Sequence, residues 1–490
     1  MSKGFIRYEI KNGVEYASVY VARRISGKKI NDVTWLGRVV DKQSGIYRNR
    51  ERGTFRYSFE SGVVDIHPAK PEKLILDFGD SYFLNKMLTK LNFMSLIEFA
   101  FGSLSDTLLS LIFYKSLMGG ASCYAQAWWE GSYARMLFPN ANLASQRISE
   151  MLTEFGDEWL QRAFFKEYLQ YISGQCGESV LIDSTGLPND IRFPLTAINN
   201  HNGTINSEAR LVLVLERKSG LPVYFRYAAG NIVDVSTLET TIAEVQAYGI
   251  DIRHAIVDAG YYSDKNIKAM RANKVSFIMR MPTNRKLYKK LVSEHSDGLQ
   301  DAKYLVKYRE RFVYIKHVEI DLFGAAGHAY VALDIDRKHD ETKKYMYANY
   351  DNLDVSFDEM NAAMKSKGLF VLLSSEYVET YDVLPLYYQR QVIEQVFDIG
   401  KNNADLLPLR IHGVDTFRGH LLIAFITTAV YILVNKSLHR SDFCALGAYR
   451  VLRNLKCKVF DDLIIVQEPN KKMNGIAEHV GLSFPLKLEI

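Results

Sequence analysis

Between residues 5 and 60 apolar and polar positions alternate, the period of a half-buried strand. YASVYVARR (16–24) and VTWLGRVV (33–40) carry the alternation most clearly, and SGKK between them is a turn signal. The basic stretch NRERGTFRYS (49–58) follows, with aromatics set among its charges. A small basic β-rich module over 1–65 is predicted. From 66 to 175 the period changes. FLNKMLTKLNFMSLIEFAF, LSDTLLSLIFYKSLMGG and SQRISEMLTEFGDEWLQRAFFKEYLQYI repeat apolar residues every three or four positions, as helices do. Gly119 and Gly120 mark a helix stop. Trp128 and Trp129 read as core anchors of this helical domain rather than as base-stacking platforms.

From Glu178 the chain becomes mixed. ESVLIDST (178–185) and HAIVDAG (254–260) read as buried strands ending in Asp183 and Asp258, and VSFIMRMP (275–282) as a third apolar strand. ARLVLVLERKSGLPVYFRYAAGN (209–231) reads as two strands around a turn, and 235–249 and 265–274 as helices. The order β-β-β-α-β-α-β puts three strands before the first helix, which argues against a simple Rossmann winding. Neither GxGxxG nor GxxxxGK[ST] is present. In 284–377, RKLYKKLVSEH, VKYRERFVYIKHVEIDL, HAYVALDID and KYMYANYD read as a strand-rich segment closed by GLFVLLSS. A helix is predicted over 387–402. The apolar run LLIAFITTAVYILV (421–434), interrupted by Thr427 and Thr428, is short for a membrane span and reads as a buried helix. The expected segments are thus 1–65, 66–175, 176–283, 284–377, 378–440 and a tail, 441–490, without a readable motif.

Composition narrows the class. The 490 residues are 48% hydrophobic and 24% charged, a globular balance. The net charge is +5, yet residues 1–60 alone hold 13 Lys/Arg against 6 Asp/Glu. A basic segment on a near-neutral body is the footprint of contact with a polyanion. Four cysteines without CxxC or zinc-like His spacing fit a reducing compartment. MSKGFIRYEI lacks the apolar core of a signal peptide. A cytoplasmic location, which in a bacterium includes the chromosome, is expected, with no membrane partner.

The candidate chemistry sits in YYQRQVIEQVFDIGKN (387–402). The segment reads as helical, with no Pro or Gly until Gly400, and offsets of three, seven and fourteen from Tyr387 fall at about 300°, 340° and 320°. Tyr387, Arg390, Glu394 and Lys401 would then share one stripe, a combination suited to a metal ion and a phosphate chain. Asp183 and Asp258, at the tips of apolar strands, need partners, because unpaired buried carboxylates are costly. Acids that converge repel one another unless cations neutralise them, and Mg²⁺ takes such oxygen ligands together with substrate phosphate. Two such ions suit in-line phosphoryl displacement. Turn-capping aspartates and a solvated ion pair are the plain alternatives. His201 and His254 are left out of the site as structural.

These residues resemble the bacterial insertion-sequence DDE transposases with the YREK signature, Y-x2-R-x3-E-x6-K. Tyr387, Arg390, Glu394 and Lys401 match it in type and spacing, LIDST (181–185) and IVDAGYYS (256–263) resemble its two aspartate motifs, and GNIVDVSTL (230–238) a stretch between them. The resemblance covers about 178–435, and the N-terminal WLGRV and RNRERG blocks also look like its longer members. It implies an α/β RNase H-like catalytic core interrupted by a β-rich insertion, preceded by the basic module and the helical domain. It implies Asp183, Asp258 and Glu394 as catalytic ligands of two Mg²⁺ ions, for which Mn²⁺ can substitute. Tyr387, Arg390 and Lys401 would contact DNA. Cut-and-paste cleavage at inverted-repeat ends, strand transfer into a target duplex, and a homodimer in the synaptic complex follow as expectations. Arg23, Arg24, Lys28, Lys29, Arg48, Arg50 and Arg52 are candidate phosphate contacts. A metal-dependent nuclease without strand transfer, and a catalytically silent DNA-binding regulator, stay open as alternatives.

Overall fold

The computed structural model describes residues 4–11, 13–25, 28–49, 52–67, 74–174, 177–189, 191, 193–201, 204–232, 236–350, 356–409, 411–460 and 463–489. They form two compact units, one of 1–76, 457–466 and 485–490, the other of 77–456 and 467–484.

In the first unit the alternating N-terminal pattern forms a six-stranded antiparallel meander. Its strands are β1 (Gly4–Lys11), β2 (Val14–Ile25), β3 (Lys28–Asp41), β4 (Ile46–Asn49), β5 (Gly53–Ser58) and β6 (Gly62–His67). Ala17, Val19, Leu36, Tyr47 and Phe55 make a small buried core, with Ile6, Tyr8, Val21, Val39 and Tyr57 packed around it. A bulge opposite Ala17 and Ser18 shifts the β2–β3 register. Gly37 sits there at φ +100°, where a Cβ would lie 2.3 Å from the Arg48 carbonyl oxygen. Only glycine fits that place. A second sheet, in the order β20–β19–β18–β7, joins β7 (Leu74–Asp77) to strands from the end of the chain: β18 (Lys456–Val459), β19 (Leu463–Val466) and β20 (Lys487–Glu489).

The second unit begins with helices α1 (Gly79–Lys90), α2 (Phe93–Phe101), α3 (Ser105–Leu117), α4 (Ala125–Gly131), α5 (Ala134–Leu137), α6 (Ser145–Phe155) and α7 (Glu158–Ser173). On α7, Phe164, Phe165, Tyr168, Leu169 and Ile172 are buried at helical spacing, and the Asp157 side chain caps the start by accepting from the Trp159 and Leu160 amides. Trp128 and Trp129 stay half-buried instead of reaching the core. Trp128 lies against Tyr114, and the Arg135 guanidinium lies over Trp129.

The main sheet follows. Its first strands are β8 (Ser179–Pro188), β9 (Ala197–His201), β10 (Thr204–Glu216), β11 (Pro222–Ala229), β12 (His254–Val257) and β13 (Ser276–Arg280). They run β11–β10–β8–β12–β13, with β9 paired to β10 at the side. β8, β10 and β11 are antiparallel, whereas β12 and β13 join in parallel, as in an RNase H-like core. Helices α8 (Leu238–Ala247) and α9 (Asp264–Ala272) make the two crossovers that parallel pairing requires. Residues 233–235 of the GNIVDVSTL stretch lie outside the described residues.

Two stretches expected as strands are helices. RKLYKKLVSEH forms α10 (Lys286–His295), burying Tyr288 and Leu291 three apart. KYMYAN of the next stretch (344–349) ends α11 (Ile335–Asn349), which the Asp334 side chain starts by accepting from the Arg337 amide; Asp351 lies outside the described residues. Aromatic content suggested strand in both; the spacing of Tyr288 and Leu291 in α10 and the Asp334 cap in α11 decided for helix. A further helix, α12 (Phe357–Lys365), opens with a capping box between Ser356 and Glu359. The strands of this segment, β14 (Leu305–Tyr308), β15 (Arg311–Asp321), β16 (Ala326–Asp334) and β17 (Leu369–Ser374), extend the main sheet beyond β13 in the order β17–β16–β15–β14.

The chain then forms α13 (Val383–Tyr388), α14 (Gln391–Asn402), α15 (Val414–Ser437), α16 (Ala445–Leu452) and α17 (Lys471–His479). The apolar run lies in α15 and is buried almost throughout; Thr427 and Thr428 give their hydroxyls to the Ile423 and Ala424 carbonyls. α15 packs on α6, α3, α14 and β11. At α6 the backbones nearly touch: a Cβ on Gly419 would lie 1.9 Å from the Leu152 carbonyl oxygen, and one on Gly156 2.0 Å from that of Asp415. Gly419→Ala should therefore push α15 from α6 and cost about 1–3 kcal/mol by overpacking, read as a lower urea midpoint. An unchanged midpoint would show that the crossing has slack.

Candidate active site

Sheet register brings the two aspartates together. The parallel pairs of β8 and β12 end at Ile182 opposite Val257. One step further along each chain stand Asp183 and Asp258. Asp258 follows the last residue of β12, as expected. Asp183 does not end its strand, because β8 continues to Pro188 against β10. It stands where β8 outruns its parallel neighbour, one residue past the last β8–β12 pair.

The third acid arrives on a broken helix. No single helix spans 387–402: α13 ends at Tyr388 and α14 begins at Gln391. Between them the amide bonds run three residues back, Gln389 to Leu386, Arg390 to Tyr387, Val392 to Gln389 and Ile393 to Arg390. That is the tighter 3₁₀ winding, in which side chains three apart eclipse. Tyr387 and Arg390 therefore point the same way. α14 buries Ile393, Val396, Phe397 and Gly400, so the polar face with Glu394 and Lys401 turns outward along the sheet tip.

The three acids meet around one atom. Arg390 Nη2 lies 3.3 Å from Asp183 Oδ2, 3.5 Å from Asp258 Oδ2 and 3.2 Å from Glu394 Oε1. Arg390 and Asp183 are largely covered, with side chains 16% and 12% exposed, whereas Glu394 is 58% exposed. Tyr387, buried, donates to Asp258 Oδ1 at 3.3 Å. Burial, with Asp258 beside it, holds the Tyr387 phenol protonated well above its ordinary range. Burial pulls the Arg390 pKa down, but Asp183 and Asp258, with Tyr387 and Glu394, outweigh it, so the guanidinium stays charged. Its Nε is buried without a hydrogen-bond partner.

Lys401 completes the constellation differently. Its ammonium donates to Thr185 Oγ1 at 2.7 Å. Burial lowers its pKa, against the opposing pull of Asp398 and Glu208. Next to it Arg210, buried, reaches the Ser184 hydroxyl at 3.1 Å, and Glu208 lies 4.0 Å from Arg210. Arg210 and Glu208 are absent from the sequence-based site. Their only signal is a pair of charges entering the apolar strand EARLVLVLE, which strand ends often show.

Tyr387, Arg390 and Lys401 thus direct their described contacts into the site itself. The hairpin of β14 and β15 braces the same place. Tyr308 stacks on Tyr388 at 5.2 Å, Arg311 lies over both rings, and Arg309 donates to Gln391 at 3.3 Å. Away from the site, His254 is exposed and bonded to Ser276, while the side chain of His201 lies outside the described residues. Arg48 and Arg52 are exposed. The side chains of Arg23, Arg24, Lys28 and Lys29, and all of Arg50, lie outside the described residues.

The donor set suits a hard divalent cation: three carboxylates, all oxygen, from two strands and a helix, gathered around positive charge. Among the described residues no three acid, His or Cys side chains already stand in ligand positions. The guanidinium holds the centre instead, and a bound ion would have to replace it there.

A family model described as a transposase DDE domain matches residues 175–430, just over half of the chain. No curated protein sequence matches. Among solved structures, the chain is similar to the piggyBac transposase in its cryo-EM synaptic complex with hairpin DNA. That match has 11% identity and a TM-score of 0.38, and covers 71% of this chain and 70% of that one.

Arg390→Gln should expose the mutual repulsion of the acids. In chelator the variant should unfold with about 1–3 kcal/mol less stability, the worth of charged hydrogen bonds. Added Mg²⁺ should restore more stability to the variant than it adds to the wild type. Equal Mg²⁺ responses would refute competition between cation and guanidinium.

Proposed function

The chain belongs to the transposase DDE domain family, and from that membership we propose a metal-dependent DNA transposase of the YREK type that cuts at transposon ends and joins them to target DNA. The observation that carries the reading is the convergence of Asp183, Asp258 and Glu394 on one cationic nitrogen.

Asp183, Asp258 and Glu394 would hold two Mg²⁺ ions, or Mn²⁺. Such ions supply Lewis-acid activation of the attacking oxygen and stabilise the leaving one. Arg390, once displaced, is placed to take the scissile phosphate through its planar fork. Tyr387 can then give its hydroxyl proton to a phosphate oxygen as a hydrogen bond. Lys401, anchored on Thr185, adds a fixed positive charge along the strand. Hydrolysis of one phosphodiester frees a 3′-hydroxyl. That hydroxyl forms a new phosphorus–oxygen bond in the target while a strand of the target departs. The basic module and the helical domain would bind the ends, in the bacterial cytoplasm where the chromosome lies. Pairing of two ends calls for a homodimer.

The test uses full-length protein and the terminal DNA of the element that encodes it. Asp183→Asn and Glu394→Gln should lose divalent-cation-dependent cleavage while keeping DNA binding; full cleavage by either variant would refute the assignment. A pre-cleaved end should become joined to target DNA, and cleavage without joining would leave only a nuclease. Affinity should fall by about 0.9 log units per decade of salt for each phosphate neutralised. A flat response would remove the basic module from end binding.

A further inference from the structure

The N-terminal meander has a second face that its small core does not use. On it, side chains alternate out of β1, β2 and β3: Phe5 and Arg7 from β1, Tyr16 and Tyr20 from β2, Trp35 from β3. The register places Phe5 opposite Tyr20, Arg7 opposite Ser18, and Ser18 opposite Trp35. Phe5 and Tyr20 lie side by side, ring centres 5.3 Å apart and planes within 9°. Tyr16 and Trp35 repeat the arrangement at 6.4 Å and 21°. Phe5 is 55% and Trp35 57% exposed, and the face holds a shallow depression of about 440 Å³.

Four aromatic rings on an open sheet would ordinarily need cover. Charge says what kind. Arg7 and Lys11 rim the depression, both paired to Glu9, and Arg38 stands exposed opposite Tyr16. The first 60 residues carry 13 basic against 6 acidic side chains, so the expected partner is a polyanion. A duplex keeps its base faces inside the stack, and a flat sheet face does not enter a groove as a helix or two-stranded ribbon does. Bases that are already unpaired can lie on exposed rings while the phosphates follow the basic rim.

We propose that the open face of β1–β3 binds single-stranded DNA by stacking unpaired bases on Phe5, Tyr16, Tyr20 and Trp35. The proposal rests on reading the chain as a DNA enzyme, and it gives the open face of the N-terminal module to strands opened during the reaction, apart from the duplex contacts of the module's basic side chains. Full-length protein is titrated against fluorescent oligothymidylate and against a duplex of equal length, followed by anisotropy. Trp35→Ala and Phe5→Ala should each weaken oligothymidylate binding about tenfold, the worth of one stacked base. Duplex affinity should stay within about twofold, and Trp35→Phe should keep most of the single-strand affinity. Unchanged oligothymidylate binding in both alanine variants would overturn the proposal. So would equal losses on single strand and duplex, which would mean that the face acts through charge or folding. The titrations are run in chelator, where no divalent-cation-dependent cleavage occurs, so a failure of the cleavage assignment is read separately from a failure of the platform.

Discussion

One guanidinium among three carboxylates sets the terms for the rest of the second unit. Gathering Asp183, Asp258 and Glu394 would be costly without a positive charge at their meeting point, because like charges at close range disfavour ionisation. Arg390 supplies that charge from within the chain. It can do so because the winding tightens at Gln389 and Arg390, turning the side chain in toward the sheet tip. The three acids are thus gathered around a positive charge that offsets part of theirs and comes from the same segment as one of them.

The frame that keeps the acids in register is apolar and tight. β12 is short and buried, so its end is a fixed point, and Asp258 inherits that position. α14 lies between β8 and α15, and α15 is held against α6 by backbone contact at Gly156 and Gly419. The aromatic and guanidinium stack of Tyr308, Arg311 and Tyr388 fixes the entry to α14 from the other side. Close-packed interiors transmit such constraints, because they have little room to deform.

Much of this was legible in the residues. The spacing from Tyr387 to Lys401, with two apolar runs ending in aspartate, pointed to three acids and their cationic neighbours before any coordinates. The buried α15 and, β9 apart, the order of strands and helices from 178 to 282 could also be read from period alone. Other features could not. No glycine or proline marks the break at Gln389, so the stripe read as one helix. Whether Arg390 faces outward or inward depends on that break. The pairing of β17 with β13 joins segments far apart in the chain and leaves no local trace. α10 and α11 were missed because their tyrosines weigh toward strand, against the three-residue spacing of Tyr288 and Leu291 in the one and the Asp334 cap in the other. Arg210 and Glu208 look like ordinary strand-end charges until β8 is seen beside them.

The inserted strands are not a separate lobe on a tether. β17 is hydrogen-bonded to β13 on one side and β16 on the other, so a single pleated surface runs from the aspartates out to β14. A load applied at the far rim would travel through backbone hydrogen bonds rather than across a hinge. The insertion is thus a stiff arm: the places of β14 and β15 relative to the three acids are set by the sheet itself instead of by a closing movement.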